Sequence, residues 1–454
     1  MTTHPERRWS SSLMFFAAAV GSAVGISNVW KFTFVAGENG GGAFVLIYVA
    51  AVALIALPTL VAELLVGRRG GASVVTSMDR LRARDGIAGA WRWYGLMAAA
   101  GAFIALSFYA VVAGWTLDYF VGSLVGRIDA ESVVEAAQAL TAMLDSPGRM
   151  MVSQASFLLL TGGTVALGVE RGLERALGWL TPTLFVVLLV LLAYALVAGD
   201  VTEGLRFMFL PDFEKLDAHV VLMAVGQAFF SLGLGLGVIF TVGAYMDEGT
   251  SLVKAGLVVA AADVGVALLA GLAVFPIVFA HGLAPDEGPG LIFATLPVAF
   301  GQMPGGAVVG PLFFLLMAIA ALTSAITILE TIVAVAEDLT GRPRPGLVAA
   351  LTVLLWGVGL LTVLSFNRLA DFRPLAFVPA LADRTPFGVL DYLVSNVMMP
   401  AGGVLVATLA GWGLSREATR AELGLSDGLA FRLWLGLVRF VVPGAIGWVF
   451  LANL

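Results

Sequence analysis

Five oxygen-bearing side chains lie inside apolar stretches of the sequence and could together hold an alkali cation: Asn28, Ser231, Asp263, Thr323 and Ser324. A hard cation binds several oxygen ligands at once. Asp263 lies about eleven residues, roughly 16 Å, into its apolar stretch. An acid at that depth costs at least about 2.5 kcal/mol on insertion scales, so we expect it to face a cavity or pair with a cation. For each single Ser or Thr, a hydrogen bond to its own helix is the alternative.

Two glycine-rich stretches interrupt apolar segments at residues 21–28 (GSAVGISN) and 231–237 (SLGLGLG). These residues weaken a helix at a depth where a freed carbonyl meets no water. One interpretation is a kinked helix whose small residues pack closely against a neighbour. The occurrence of two such stretches in corresponding positions favours a transporter site at the membrane midplane. There, half-helix ends bind a carboxylate and loose carbonyls bind a cation.

The composition excludes several classes of protein. The 454 residues are 59% hydrophobic and 12% charged, against about 25% charged in soluble domains, which indicates a polytopic membrane protein. Cysteine is absent, so disulfides and thiolate metal sites are excluded. No basic run suggests a nucleic-acid partner. No nucleophile–base set suggests an enzyme.

Eleven apolar spans position these residues. They lie near 12–36, 42–66, 92–122, 152–168, 176–198, 218–245, 253–280, 306–336, 346–366, 387–412 and 430–452. With a cytoplasmic N-terminus, sixteen Lys and Arg residues fall in inner loops and seven in outer loops, which fits the positive-inside rule. We therefore expect a multi-pass protein of the plasma (inner) membrane. Residues 285–302 are interrupted by two prolines and predict an external hairpin.

The spans divide into two halves of five, about 12–198 and 218–412, each opening with a glycine-rich span. Because five is odd, the second half enters from the opposite face, which predicts an inverted repeat with two broken helices side by side. The span at 430–452 is predicted to be peripheral. The whole chain, 1–454, is expected to form one transmembrane domain.

Two further sets of residues could serve as gates or anchors. Lys31 and Asp391 lie at the outer ends of spans one and ten and could close over a substrate, or each could simply snorkel. Tyr109 and Phe230 could form an aromatic lid beneath them, or could be packing residues. Glu63, near the inner end of span two, could anchor unwound backbone or take an ion or proton role.

Several motifs resemble the neurotransmitter:sodium symporters over nearly the whole chain. They are Trp9, residues 21–28 followed by Lys31 and Phe32, 38–44 (ENGGGAF), 226–235 (GQAFFSLGLG), 321–324, 337–338, 395–396 and 402–403. The resemblance is strongest to bacterial, leucine-transporter-like members. It implies an all-α fold of eleven transmembrane helices with a 5+5 inverted repeat and unwound helices 1 and 6. It also implies sodium-coupled amino acid symport by alternating access.

The resemblance also assigns roles to individual residues. One sodium ion would be bound by the Ala23 carbonyl, Asn28, Ser231, Asp263 and the substrate carboxylate. A second would be bound by the carbonyls of Gly21, Val24 and Ala320 and the hydroxyls of Thr323 and Ser324. The substrate's amine and carboxylate would meet Ser22, Ala23, Gly25, Ile26, Tyr109, Phe230, Ser231 and Gly233, and its side chain Ala105, Leu236 and Ile328. The inner gate would comprise Trp9, Arg7 or Arg8, Tyr245 and Asp338.

Departures from the family pattern predict ion and substrate preference. Asp263 stands where most relatives have asparagine, and Ala267 stands where an acid or serine would be, although Tyr48, Gln227 and Ser231 match chloride-dependent members. We therefore expect chloride independence, with Asp263 supplying the negative charge and possible proton exchange on the return step. Ala105 and Leu236 replace bulkier residues that are common in relatives, which predicts a large apolar or aromatic amino acid as the substrate.

Two other functions remain open from the sequence. A proton-coupled permease of the same architecture would need no sodium and could use Asp263 alone. A non-transporting amino acid receptor would bind the substrate without moving it. The sequence leaves open whether the protein is a monomer or a homodimer.

Overall fold

The computed structural model describes residues 9–128, 132–286 and 290–452. In chain order the helices are α1 (Ser12–Ala23), α2 (Ser27–Glu38), α3 (Gly42–Gly70), α4 (Val74–Asp85), α5 (Trp91–Leu124), α6 (Val133–Leu144), α7 (Pro147–Ala166), α8 (Val169–Ala198), α9 (Val201–Phe209), α10 (Ala218–Ser231), α11 (Val238–Ala244), α12 (Leu252–Ala280), α13 (Leu291–Gln302), α14 (Gly306–Thr340), α15 (Arg344–Ser365), α16 (Pro386–Gly413), α17 (Arg416–Leu423) and α18 (Leu429–Ala452). Short 3₁₀ turns lie at Phe213–Lys215 and Pro379–Leu381.

The described helices agree with the predicted all-α membrane fold. Within these ranges, eight helices are long and apolar enough to cross a bilayer, and α1 with α2 forms a ninth span bent by 47°. The predicted spans at 152–168 and 218–245 correspond to α7 and to the α10–α11 pair. The helix count is therefore consistent with eleven spans.

The first break separates α1 from α2 at residues 24–26, close to the predicted position. Val24 adopts an extended conformation (φ −78°, ψ 98°), and its amide still donates to the Val20 carbonyl. Glycine serves here for close approach, because a Cβ on Gly21 would lie 2.5 Å from Thr181 Oγ1 and one on Gly25 would lie 2.6 Å from Ser324 Oγ. The break therefore lies tightly against α8 and α14.

The second break separates α10 from α11 at residues 232–237. Gly233, Gly235 and Gly237 have φ values of 62°, 90° and 73°, a conformation that only glycine adopts without strain. A Cβ on Gly235 would also overlap the carbonyl oxygen of Met399 on α16. The sequence pattern of alternating glycines is thus explained by backbone geometry.

The broken helices pack against the long continuous ones. α5 packs extensively against α14, α1 contacts α8, α12 and α14, and α3 contacts α10 and α11. At the end of the bundle that was predicted to be external, Phe293 of α13 packs edge-on against Trp30, Trp115 and Tyr119, with ring centroids 5.1–5.9 Å apart. α13 therefore covers the end of the bundle at which Trp30 and Tyr119 lie. Residues 287–289 of the predicted 285–302 hairpin lie outside the described part, and its external position stays a prediction.

Candidate functional site

The Asp263 carboxylate lies between the two broken helices and accepts hydrogen bonds from three elements. Asn28 Nδ2 donates to Asp263 Oδ1 at 2.7 Å, and Ser231 Oγ and the Tyr48 hydroxyl donate to Oδ2 at 2.9 and 3.0 Å. Both Asn28 and Asp263 are fully buried, with 0% exposure. A buried carboxylate is tolerated when it is hydrogen-bonded in this way, and it places a negative charge at mid-membrane.

The side-chain oxygen of Asn28 is directed at the first break. Asn28 Oδ1 accepts from the Gly25 amide at 3.0 Å and from Ser27 Oγ at 3.3 Å. The Gln227 side chain donates to the Ser27 carbonyl at 3.3 Å, which ties α10 to the same turn. The structure thus brings together Asn28, Ser231 and Asp263, the three side chains predicted for the first cation site.

A second set of oxygens lies where α14 crosses the first break. Thr323 Oγ1 lies 3.0 Å from the Ala320 carbonyl and 3.5 Å from the Val24 carbonyl. Ser324 Oγ lies 3.3 Å from the Ser22 carbonyl. These hydroxyls make the back-bonds expected of Thr and Ser in membrane helices, and they also face carbonyls freed by the break. Oxygen ligands of this kind suit a hard monovalent cation.

Glu63 holds the second break in place. Its Oε1 atom accepts a hydrogen bond from the Gly235 amide at 2.6 Å, and its side chain is fully buried. The sequence left two roles open for Glu63, an anchor for unwound backbone or an ion or proton role. This hydrogen bond fits the role of an anchor.

The residues predicted to bind a substrate lie on α1, α5, α10, α14 and the two breaks. The Tyr109 hydroxyl lies 3.4 Å from the Ala321 carbonyl, and Leu236 approaches Gly101 of α5. The others lie on the same elements: Ser22 and Ala23 end α1, Gly25 and Ile26 form the break, Ala105 precedes Tyr109 by one turn, Phe230 and Ser231 end α10, Gly233 follows in the second break, and Ile328 follows Ser324 by one turn.

Near the end of the bundle that was predicted to be external, Lys31 contacts an aromatic ring. Its ammonium group lies 3.5 Å from the centroid of the Phe230 ring and makes a cation–π contact. The Asp391 carboxylate interacts electrostatically with the same ammonium group. Asp391 Oδ1 accepts a hydrogen bond from Ser395 Oγ at 2.9 Å. A cavity of about 110 Å³ lies beside this cluster, lined by Lys31, Gln227 and Phe230 among others. The predicted Lys31–Asp391 gate pair remains a prediction.

At the opposite end of the bundle, which was predicted to be cytoplasmic, Trp9 packs against α11. Trp9 Nε1 donates to the Val242 carbonyl at 3.1 Å, its amide donates to the Tyr245 carbonyl at 3.2 Å, and the two rings lie 6.1 Å apart. Asp338 Oδ2 accepts from the Ser73 amide at 3.0 Å. The predicted gate residue Arg7 lies outside the described residues, as does Arg8.

The sequence analysis missed a charged cluster beneath this inner contact. Tyr245 donates to Glu330 Oε1 at 2.7 Å, and Arg344 forms ion pairs with Glu330 and Glu337. Arg344 Nε also donates to the Val165 carbonyl at 2.9 Å. Glu330 lies ten residues before the end of α14, so the argument from the cost of a buried acid would have found it.

Two broken helices lying together at mid-membrane, with a buried acid and freed carbonyls between them, define a secondary transporter of the inverted-repeat type. The model of the Sodium:neurotransmitter symporter family matches residues 6–133 and 132–367. The chain therefore belongs to this family and is a sodium-dependent transporter, not an enzyme, as predicted.

Similar proteins support this assignment along the full length. An uncharacterized sodium-dependent transporter of Bacillus subtilis is 36% identical over 99% of this chain and 98% of its own. Another, of Haemophilus influenzae, is 29% identical over all of both chains. The crystal structure of MhsT in complex with L-phenylalanine is 38% identical, with a TM-score of 0.90, over 98% of this chain and 99% of that one. The predicted leucine-transporter-like fold is confirmed.

Proposed function

We propose that this chain is a sodium-coupled symporter of amino acids that works by alternating access. The observation that carries the proposal is the contact of Asn28, Ser231 and Asp263 between the two breaks. Both helices end there, so half-helix dipoles and free carbonyls are available to a zwitterion and a cation at the same depth.

Two sodium sites are proposed. The first comprises Asn28, Ser231, Asp263 and the Ala23 carbonyl, completed by the substrate carboxylate. Because the substrate carboxylate is a ligand of this sodium ion, bound substrate favours sodium binding and bound sodium favours substrate binding. The transport of sodium is thereby coupled to the transport of the amino acid. The second comprises Thr323 and Ser324 with the carbonyls of Gly21, Val24 and Ala320. Because it joins α1 to α14, its occupation favours the closed arrangement of the first break.

The substrate is proposed to be a large apolar or aromatic amino acid. This proposal rests on Ala105 and Leu236, which stand where relatives commonly have bulkier residues. The similarity to MhsT, whose structure contains L-phenylalanine, supports an amino acid substrate. Leucine, methionine, phenylalanine or tryptophan should therefore compete for uptake better than glycine. Glycine or a betaine-like amine as the best competitor would contradict this pocket assignment.

Transport is proposed to be independent of chloride. Asp263 receives the Tyr48 and Ser231 hydroxyls, so its carboxylate occupies the donors that an anion would need. Because this charge is part of the chain, it would offset a sodium ion without a separate anion. Replacing chloride by gluconate should therefore leave uptake unchanged.

The test is amino acid uptake into proteoliposomes with sodium or potassium outside. Uptake should require sodium, and sodium-free counterflow should be absent. Equal counterflow without sodium would identify a proton-coupled permease instead. Saturable binding with no uptake would identify a receptor.

The type of membrane, the orientation of the chain in it and the oligomeric state are also proposed. The chain is a multi-pass membrane protein of this family. We propose the plasma (inner) membrane with a cytoplasmic N-terminus, and either a monomer or a homodimer. Protease or maleimide access to a tag before Trp9, in sealed right-side-out vesicles, tests the orientation: protection supports it.

A further inference from the structure

Two buried polar atoms beside the second break have no hydrogen-bond partner among the described residues. They are Glu63 Oε2 and the Tyr94 hydroxyl. Glu63 is 0% exposed and Tyr94 is 2% exposed, so solvent does not reach either side chain from outside. Buried polar atoms are nearly always hydrogen-bonded, and leaving one unpaired is strongly unfavourable. These two atoms therefore call for a partner beyond the hydrogen bonds that the described residues make.

The two atoms belong to one neighbourhood. The Tyr94 hydroxyl interacts electrostatically with Glu63. On α5, Ala98 lies one turn after Tyr94, and a Cβ on Gly237 would lie 3.4 Å from the Ala98 Cβ. A Cβ on Gly101 would lie 2.7 Å from Leu236 Cδ2. This face of α5 thus runs along the second break, with Tyr94 at its inner end.

We propose that one water molecule bridges the Tyr94 hydroxyl and Glu63 Oε2, and that Tyr94 is a positioning residue for the second break. Buried waters in proteins make about three hydrogen bonds to otherwise unpaired polar groups, and a carboxylate oxygen and a phenol hydroxyl are suitable partners. The backbone amide of Phe240 also faces the Glu63 carboxylate. The bridge would fix the Glu63 side chain, which in turn holds the Gly235 amide at 2.6 Å.

The functional part of this inference rests on the proposed amino acid transport. Gly233 and Leu236 of the second break are proposed to contact the substrate, so a loosened anchor should weaken substrate binding more than it slows turnover. Tyr94→Phe, which removes only the hydroxyl, should raise KM about fivefold, equivalent to roughly 1 kcal/mol, with Vmax within about twofold.

The chain offers a matched control on the same helix. Tyr119 is also buried, 1% exposed, and its hydroxyl also has no partner among the described residues. It lies at the outer end of α5 against Phe293, far along the helix from the second break. Tyr119→Phe should leave KM unchanged. An equal rise in KM for Tyr119→Phe would show that any lost buried hydroxyl has this effect, which would overturn the positioning role.

A double-mutant cycle tests whether Tyr94 acts through Glu63. In the Glu63→Gln background, Tyr94→Phe should have little further effect on KM, since the bridge has already been altered. Full additivity of the two substitutions would contradict the proposal. Substrate affinity measured in detergent replaces KM if the Glu63 variant does not transport.

An experimental structure at water-resolving resolution tests the bridge itself and does not depend on the transport assignment. A water within about 3.2 Å of both Glu63 Oε2 and the Tyr94 hydroxyl supports it. A direct Tyr94–Glu63 hydrogen bond, or a different partner for either atom, overturns it. If no amino acid were transported but the water were present, the proposed function would fail while the bridge would stand.

Discussion

The side-chain amide of Asn28 donates to both the backbone carbonyl and the carboxylate of Asp263, at 3.1 and 2.7 Å. This double contact ties the first broken helix to α12 and orients the Asn28 oxygen toward the Gly25 amide. Loss of either partner would leave the other buried without its hydrogen bonds, at a cost of about 1–3 kcal/mol or more. The proposed first sodium site therefore depends on both residues together.

Asp263→Asn should make transport depend on chloride. The substitution removes the buried charge while keeping a side chain of similar shape, so a mobile anion would have to replace that charge near Tyr48 and Ser231. We expect uptake in gluconate to fall at least about tenfold, roughly 1.4 kcal/mol, with partial recovery in chloride. The measurement is initial uptake into proteoliposomes in each anion. Asp371→Asn, which changes an exposed acid, is the control and should behave like the unmodified protein in both anions.

The two proposed sodium sites should respond to separate substitutions. Asn28→Ala and Thr323→Val each remove one oxygen ligand and should raise the sodium concentration for half-maximal uptake about tenfold. Thr327→Val is the matched control. Thr327 is a buried threonine one turn after Thr323, and it back-bonds to the Ser324 carbonyl at 2.9 Å. An unchanged sodium requirement in both site variants, or an equal change in Thr327→Val, would contradict the ligand assignment.

Gly235→Ala should disable the second break. At φ 90° an alanine is strained by about 1–2 kcal/mol, and its Cβ would overlap the Met399 carbonyl oxygen. We expect a lower melting temperature in detergent and uptake reduced at least about tenfold. Gly226→Ala on α10 meets nothing within 4 Å and should be neutral or slightly stabilising. Similar melting and uptake for the two variants would refute the geometric explanation.

Glu330→Gln should loosen the inner side. It removes an ion pair with Arg344 and weakens the acceptor of the Tyr245 hydroxyl, although Glu337 still pairs with Arg344. Because the chain contains no cysteine, a single Thr241→Cys variant reports access directly. Cytoplasmic maleimide labelling should become several-fold faster in Glu330→Gln. Asp79→Asn, which breaks an exposed Arg92 pair, should leave the labelling rate unchanged, and a shared increase would point to a general loosening.

Much of the helical architecture could be predicted from the sequence, because a segment that crosses the bilayer must satisfy its backbone hydrogen bonds internally. Long apolar runs predicted the spans, and alternating glycines predicted the second break, since Gly233, Gly235 and Gly237 all require positive φ. The first break was predicted from the serine and asparagine near its glycines. Its position next to Thr181 of α8 was not, because that contact depends on how two distant helices pack.

The ionic contacts were less accessible to sequence reasoning. Asp263 was singled out by its depth, yet its particular partners Asn28 and Tyr48 come from helices over 200 residues away. The Lys31 side chain contacts the Phe230 ring, a residue that the sequence had placed in a lid beneath Lys31 and Asp391, but the direct cation–π contact was not predicted. The depth of Glu330 in its span could have identified it, but its pairing with Arg344 could not be predicted, because the two residues lie on successive helices that meet only in the folded protein.

The two breaks differ in the backbone conformations that their residues must adopt. At the first, Val24 is extended and Ile26 is right-handed, both ordinary conformations for any amino acid; at the second, three glycines have positive φ. Sequence variation at the first break is therefore limited by crowding from Thr181 and Ser324, which complementary changes in those neighbours could relieve. At the second break no neighbour can compensate, so that half of the site should change far more slowly as descendants of this transporter acquire new substrates.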